Sequence, residues 1–343
     1  MATRMGSKPL LARRAKLDSK SEPDQLTPER RTQTGTPRDA FLETERGPLD
    51  ELYLLGHPPL DDYLRYVRKH VIDGDQKRAL KEWRRANEYR QNLEASEAGI
   101  ADAIEVSEID SSLDALAAEL ISAARYRNTY EDLPGRLQMV ELDRLVISQF
   151  HVVPEFARRQ RARLGVAPDA KTVFRFCHPP EGSMAPVKAR RVGDQRYIFS
   201  SESTDFRPHG PVLLRPNQLR GYETYGPISH VVGLVVGFGP NYLSAVRHKG
   251  RLVLHNGYHR AYALRDAGIT HAPCVVKTAA DADELEVAAG RSVRKDKHFY
   301  FESDRPPVLK DFFDPNIAKP HRIRRTVSMI EIEFEIREYT VES

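Results

Sequence analysis

The chain has 343 residues, 40% hydrophobic and 30% charged, with 53 Lys+Arg against 49 Asp+Glu and a net charge of +4. That length is about two domains at the usual ~150 residues each, and the apolar share is enough to build a core. The near balance of charge excludes a globally basic nucleic-acid coat, and two cysteines, Cys177 and Cys274, exclude a disulfide framework or an all-Cys zinc site.

No run approaches the roughly 20 apolar residues of a membrane span; the longest, Val231 to Phe238, already holds two glycines. The N-terminus lacks the apolar stretch of a secretory signal, so a soluble, cytoplasmic protein is expected. Residues 1–47 are rich in charge, Pro, Ser and Thr, with little apolar periodicity. Such a segment buries too little surface to offset its ordering entropy, and it is expected to be a disordered tail.

From Pro59 the pattern turns helical. Leu60, Tyr63, Leu64, Val67 and Val71 share a helical face until Asp73-Gly74-Asp75 breaks it. A second, more charged helix is predicted from Gln76 to Leu93, and a third after Asp110-Ser111 as cap. Residues 48–133 therefore read as a small helical region, a surface open to a protein partner. Leu137 to Ile147 alternates as a strand entering a turn, and Glu155 to Leu164 reads as a short helix carrying Arg158, Arg159, Arg161 and Arg163. Short strands are predicted between Val173 and Phe199. Val231 to Phe238 has the continuous apolar character of an element buried on both sides. The C-terminal Met329 to Ile336 alternates, with Ile330, Ile332, Phe334 and Ile336 inward.

The most informative stretch is Leu252 to Val276: strand, Asn256-Gly257 turn, Tyr258-His259-Arg260, a helix to Ala267, Gly268 as C-cap, then a strand. Gly257 allows a sharp turn and close backbone approach, and the helix behind it presents free N–H groups and a positive dipole end. His259 and Arg260 place cations where acids are usual, a local conflict of the kind functional sites carry. His255 and His259 also stand four apart, but they straddle a strand end and a helix start, so their side chains diverge and no metal site is expected.

Asn256-Gly257-Tyr258-His259-Arg260, its trailing helix, the approach to Pro273, and Val140 to Ile147 as a first strand and loop together resemble the ParB/sulfiredoxin-like superfamily. The resemblance covers about forty residues, and its motif is short. It implies an α+β fold: a ParB/sulfiredoxin-like mixed-sheet domain over 134–280 with an insertion, preceded by the helical region and followed by a C-terminal extension, 281–343, with a terminal strand. It also implies nucleotide binding. Gly257, Tyr258, His259 and Arg260, with Arg207 from the loop Ser200 to His209, would hold the phosphates of ATP, ADP or CTP accompanied by a divalent metal such as Mg²⁺. His259, Arg260 and Asn256 would act in phosphoryl transfer or hydrolysis, as a nucleotide-dependent kinase or NTPase.

Against the family patterns, the sulfiredoxin cysteine position is Tyr258 and the kinase-type acid is Asn256. The acid expected after the first strand falls at Gln149, so a kinase base would come from Glu155, Glu202 or Asp205. Two other readings stay open. One is a non-catalytic nucleotide-sensing or interaction module; the other is nucleic-acid binding through the arginine helix and basic tail. Tyr222, Glu223 and Tyr225 in the loop before Pro227 read as loop anchors rather than a base-stacking platform.

Overall fold

The computed structural model describes residues 47–180, 184–203, 205–219, 221 and 225–341. The expected disordered tail therefore lies, but for its last residue, outside the described residues, as do Tyr222 and Glu223.

The elements in chain order are β1 (Leu49–Leu54), α1 (Leu60–His70), α2 (Gln76–Ser96), β2 (Val106–Glu108), α3 (Asp114–Ser122), α4 (Ala124–Thr129), β3 (Gly135–Glu141) and β4 (His151–Val152). Next come α5 (Pro154–Leu164), α6 (Ala170–Cys177), β5 (Lys188–Arg191), β6 (Arg196–Ser201), β7 (Phe206–Leu214) and β8 (Val231–Phe238). The chain then runs through β9 (Ser244–His248), β10 (Arg251–Asn256), α7 (Tyr258–Asp266), β11 (His271–Thr278), α8 (Ala282–Ala288), α9 (Arg291–Lys295), α10 (Lys297–Phe301), β12 (Ala318–Ile323) and β13 (Ser328–Glu333). The class is α+β.

The central sheet has the order β10-β9-β11-β3-β2. It is mixed: β11 runs parallel to β9 and antiparallel to β3, and β10 forms an antiparallel pair with β9. The parallel pair is possible because α7 carries the chain across between β10 and β11. Both faces are covered, which is why Arg251 to Leu254 are all buried. On one face Leu254, Ala245 and Val276 join Leu142, Ile147, Ala261 and Leu264. On the other, Val246 and Val253 pack with Leu285, Ala288 and Tyr300, while Val275 meets Tyr126, Tyr130 and Tyr242.

The expected boundaries at 133/134 and 280/281 are crossed by this architecture. β1, inside the region read as helical, pairs with β12 of the C-terminal extension over six positions and with β4 of the middle segment. β2 completes the central sheet by pairing with β3. Tyr53, Leu54, Tyr63, Leu142, Leu254 and Ala318 share one core. Periodicity within a segment says nothing of which distant segment covers it.

Three local expectations change. Val173 lies in α6 rather than in a strand. β13 ends at Glu333, leaving Phe334 and Ile336 exposed. The largest change is Val231 to Phe238, expected as an element buried on both sides: it forms the strand β8, which among the described residues pairs with β7 alone, and Val232, Leu234 and Val235 are solvent-exposed. An apolar run fixes what a strand is made of, and a second covering layer decides whether it is buried.

Candidate functional site

The corner where β10 gives way to α7 is built by two backbone features. The first is a β-bulge: Leu254 stands opposite Ala245 and Asn256 opposite Ser244, so His255 is the extra residue. Bulges re-aim side chains beside functional sites. The second is Gly257, at φ 97° and ψ 28°. A Cβ there would sit 2.9 Å from Leu243 Cδ1 and 3.3 Å from Leu243 Cα. Both the left-handed backbone and the packing on Leu243 therefore require glycine. No side chain caps α7, so the positive end of its dipole stays at this corner.

The motif side chains divide between the corner and the interior. Tyr258 is buried; its hydroxyl donates to the Leu254 carbonyl at 2.6 Å and accepts from the Ser148 N–H at 3.2 Å. It thus ties the loop after β3 to the motif. His259 Nε2 accepts the Val153 N–H at 3.0 Å, and its ring meets Phe156 edge-on. Desolvation pushes its pKa down to about 4, so at neutral pH it is an uncharged acceptor. Arg260 is 5% exposed. Its Nη1 donates to the carbonyls of Cys177 at 2.7 Å and Asn241 at 2.9 Å, and its Nη2 donates to Asn241 Oδ1. Asn256 Nδ2 donates to the Pro240 carbonyl. In these contacts His259 accepts from, and Arg260 donates to, groups of the protein itself. Both bind the turn to neighbouring segments.

Other ionisable groups stand near the corner: His255, and the two cations whose charges act on it, Lys277 and Arg207. His255 reaches solvent, yet desolvation, then the charges of Lys277 and Arg207, push its pKa down to about 4. Lys277, from β11, donates to the Ala288 carbonyl at 2.8 Å, and burial lowers its pKa. Arg207, from the start of β7, lies so closely over Gly239 that a Cβ there would run into its guanidinium. Its Nη2 is 3.2 Å from Asp205 Oδ1. Asp205 also lies near enough to Arg260 for its charge to raise the arginine's pKa against the dominant effect of burial.

Arg207 was legible as a candidate from the loop composition. His255 and Lys277 were not, because only the bulge and the parallel β9–β11 pairing bring them together. Gln149, at the position expected to be acidic, donates to the His151 carbonyl and carries no charge. Glu155 is occupied by Arg159, and Arg161 of the same helix pairs with Asp266 at 2.5 Å, so the arginine run is partly neutralised at its own surface. Among the described residues no three His, Cys, Asp or Glu side chains group to hold a metal, and no helix is long and apolar enough to cross a membrane. Comparison with family models, with curated proteins and with solved structures finds no match to this chain.

Proposed function

We propose that this chain binds the phosphate groups of a nucleotide, of the ATP, ADP or CTP class, at the bulged corner between β10 and α7. The observation that carries this reading is the gathering of His255, Lys277 and Arg207 beside an uncapped helix N-terminus. Lys277 and Arg207 are two cations whose charges both act on the uncharged His255, and an anion bound there would meet the attraction of both. Gly257 supports it by giving the backbone the tight turn that lets amide groups approach a phosphate. A Mg²⁺ ion arriving with the nucleotide needs only one or two carboxylates besides phosphate and water, and Asp205 is a carboxylate at this corner.

Nucleotide sensing, without chemistry at the His-Arg pair, is the form of this reading that the contacts favour, because both side chains are committed to the fold. Phosphoryl transfer is the second reading. It rests on Asp205, the one of the three proposed bases that stands beside both Arg207 and Arg260.

A thermal-shift panel of ATP, ADP, CTP and GTP with Mg²⁺ tests the binding. At least one nucleotide is expected to raise Tm, and the rise is expected to vanish in Arg207→Ala combined with Lys277→Met. No shift with any of the four would remove the proposal. Released phosphate in the wild type, lost in Asp205→Asn, would favour transfer over sensing.

The same site predicts a proton linkage. Desolvation and then the two cations hold the His255 pKa low; a bound phosphate opposes the cations, so binding draws the pKa upward and takes up protons. Affinity is therefore expected to rise as pH falls from 7 toward 5. Calorimetric heats at pH 6 should differ between buffers of different ionisation enthalpy, and His255→Gln should abolish the difference. Without ligand the sign reverses for the fold. His255 and His259, at about 4, both lie below the unfolded value near 6.5. They contribute stability that is present above that value and lost as pH falls toward 4.

A further inference from the structure

We infer that the cleft between α1, α2 and the outer edge of β12 is a binding site for a small zwitterion with an apolar arm, the chemistry of an aliphatic α-amino acid. The backbone opens the cleft. Beyond α1 the chain first meets β12: the Ile72 N–H donates to the Arg322 carbonyl at 2.8 Å, and the Arg324 N–H to the His70 carbonyl at 2.9 Å. The pairing stops at Asp73, whose φ of 53° is left-handed and turns the chain away. Gly74 lets the turn lie on α1, because a Cβ there would sit 2.8 Å from Val67 Cγ1 and 3.0 Å from the Val67 carbonyl oxygen. Arg78, Ala79 and Glu82 of α2 then face β12 across a cleft of about 380 Å³. That volume is within the range of small-molecule sites, about 300–1,000 Å³. Pro320 lies on this stretch of edge and has no N–H to offer a further strand.

The lining selects the occupant. Val67, Val71, Ile72 and Ala79 give it an apolar wall. Charges of both signs also line it, Arg78, Lys319 and Arg322 against Asp73, Asp75 and Glu82. A simple anion meets three carboxylates there and a simple cation meets three cations, so a molecule with one charge of each sign is favoured over both. Four of the six groups are already engaged. Arg78 pairs with Glu82 at 2.9 Å, Asp75 accepts the Lys77 N–H at 2.8 Å, and Lys319 donates to the Pro315 carbonyl. Asp73 and Arg322 have no such partner among the described residues, which leaves one carboxylate for a ligand's ammonium and one guanidinium for its carboxylate. The main chain adds to both. Arg322 turns its carbonyl outward to Ile72, and the period of two along a strand turns the Arg322 N–H and the Pro320 carbonyl to the same side. Tyr63 and His321, whose Oη and Nε2 stand 3.1 Å apart, also line the cleft. Burial lowers the His321 pKa, so at neutral pH this pair adds no charge.

This inference does not rest on nucleotide binding, and the cleft shares no residue with the corner between β10 and α7. Calorimetric titration of the full chain with L-valine, L-leucine, L-isoleucine and L-methionine at millimolar concentration is expected to show saturable binding of at least one. The N-acetyl and amide derivatives of that amino acid each lack one charge, and each is expected to bind at least about tenfold more weakly. Asp73→Asn, which suits the left-handed backbone, and Arg322→Gln are each expected to weaken binding by a similar factor. Both side chains are exposed, so the circular dichroism spectrum should not change. Absence of binding by all four amino acids overturns the inference. So does a derivative that binds as well as its parent, and so does wild-type affinity in either variant.

Discussion

Replacing Arg260 with alanine is expected to cost the fold rather than a ligand. The guanidinium donates to the carbonyls of Cys177 and Asn241 and to the Asn241 side chain, and the Cys177 carbonyl also accepts the Leu243 N–H at 2.9 Å. These groups join the end of α6, the segment after β8 and α7. Removing a buried charged donor from such a set of hydrogen bonds costs about 1–3 kcal/mol, and a loss of that order is expected. The aliphatic stem adds lost packing against the core. Urea denaturation should show a lower midpoint at an unchanged slope. Lysine should rescue little of it, since a single ammonium cannot reproduce the planar fork. Arg207→Ala with Lys277→Met, by contrast, should leave the midpoint nearly unmoved while removing the nucleotide response. An Arg260→Ala protein of wild-type stability would mean that the guanidinium is not the clamp its contacts describe.

The second large effect is expected at Asp311. Its carboxylate accepts two bonds from Arg305, at 2.5 and 2.6 Å, and the Val308 N–H at 3.0 Å. His57 Nε2 is 3.7 Å away. Arg305, with a fully buried side chain, also reaches Glu97 at 2.9 Å, where Lys310 joins at 2.7 Å. The cluster joins the residue that ends α2 to the segment leading into β12. Asp311→Asn keeps the shape but leaves the buried guanidinium with Glu97 as its one counter-charge, and breaking a buried pair costs about 3–5 kcal/mol, which Glu97 offsets in part. Desolvation alone would raise the Asp311 pKa, but Arg305 and His57 outweigh it and the net shift is downward. The stability this group supplies is therefore present above the ordinary carboxylate pKa and lost as pH falls through its lowered folded value. Chemical denaturation of Asp311→Asn should show a deficit at pH 7 that narrows in acid. A deficit that stays constant from pH 7 to pH 3 would count against the pairing as the source.

Much of the local structure was legible in advance because it depends on neighbours in sequence. The apolar spacing of Leu60 to Val71, the cap at Asp110, the Asn256-Gly257 turn and the stop at Gly268 each set a backbone conformation over a few residues. The helix after Gly257 was also read correctly, running over Tyr258–Asp266. The candidate site was only half legible. Gly257 was found, and for half of the physical reason: the turn requires it, and so does the packing of Leu243 against it. His259 and Arg260 stood out by type and position, yet type and position do not show which way a side chain points. Their partners, Val153, Cys177 and Asn241, arrive from segments with no periodic relation to the motif.

What the chain alone determined is the class, the solvent-facing charge pattern, and the strand–turn–helix at residues 251–266, since these follow from backbone preference and short-range spacing. Tertiary structure decided the rest. It folded β1 against β12, so that the ends of the described chain close over its middle. It turned Arg260 inward and brought His255 and Lys277 together across β9, and it left β8 with only one neighbour. Each of these depends on long-range contacts, whose cost is the loop entropy of joining distant segments and whose gain is burial shared among them. No window of neighbouring residues contains that balance.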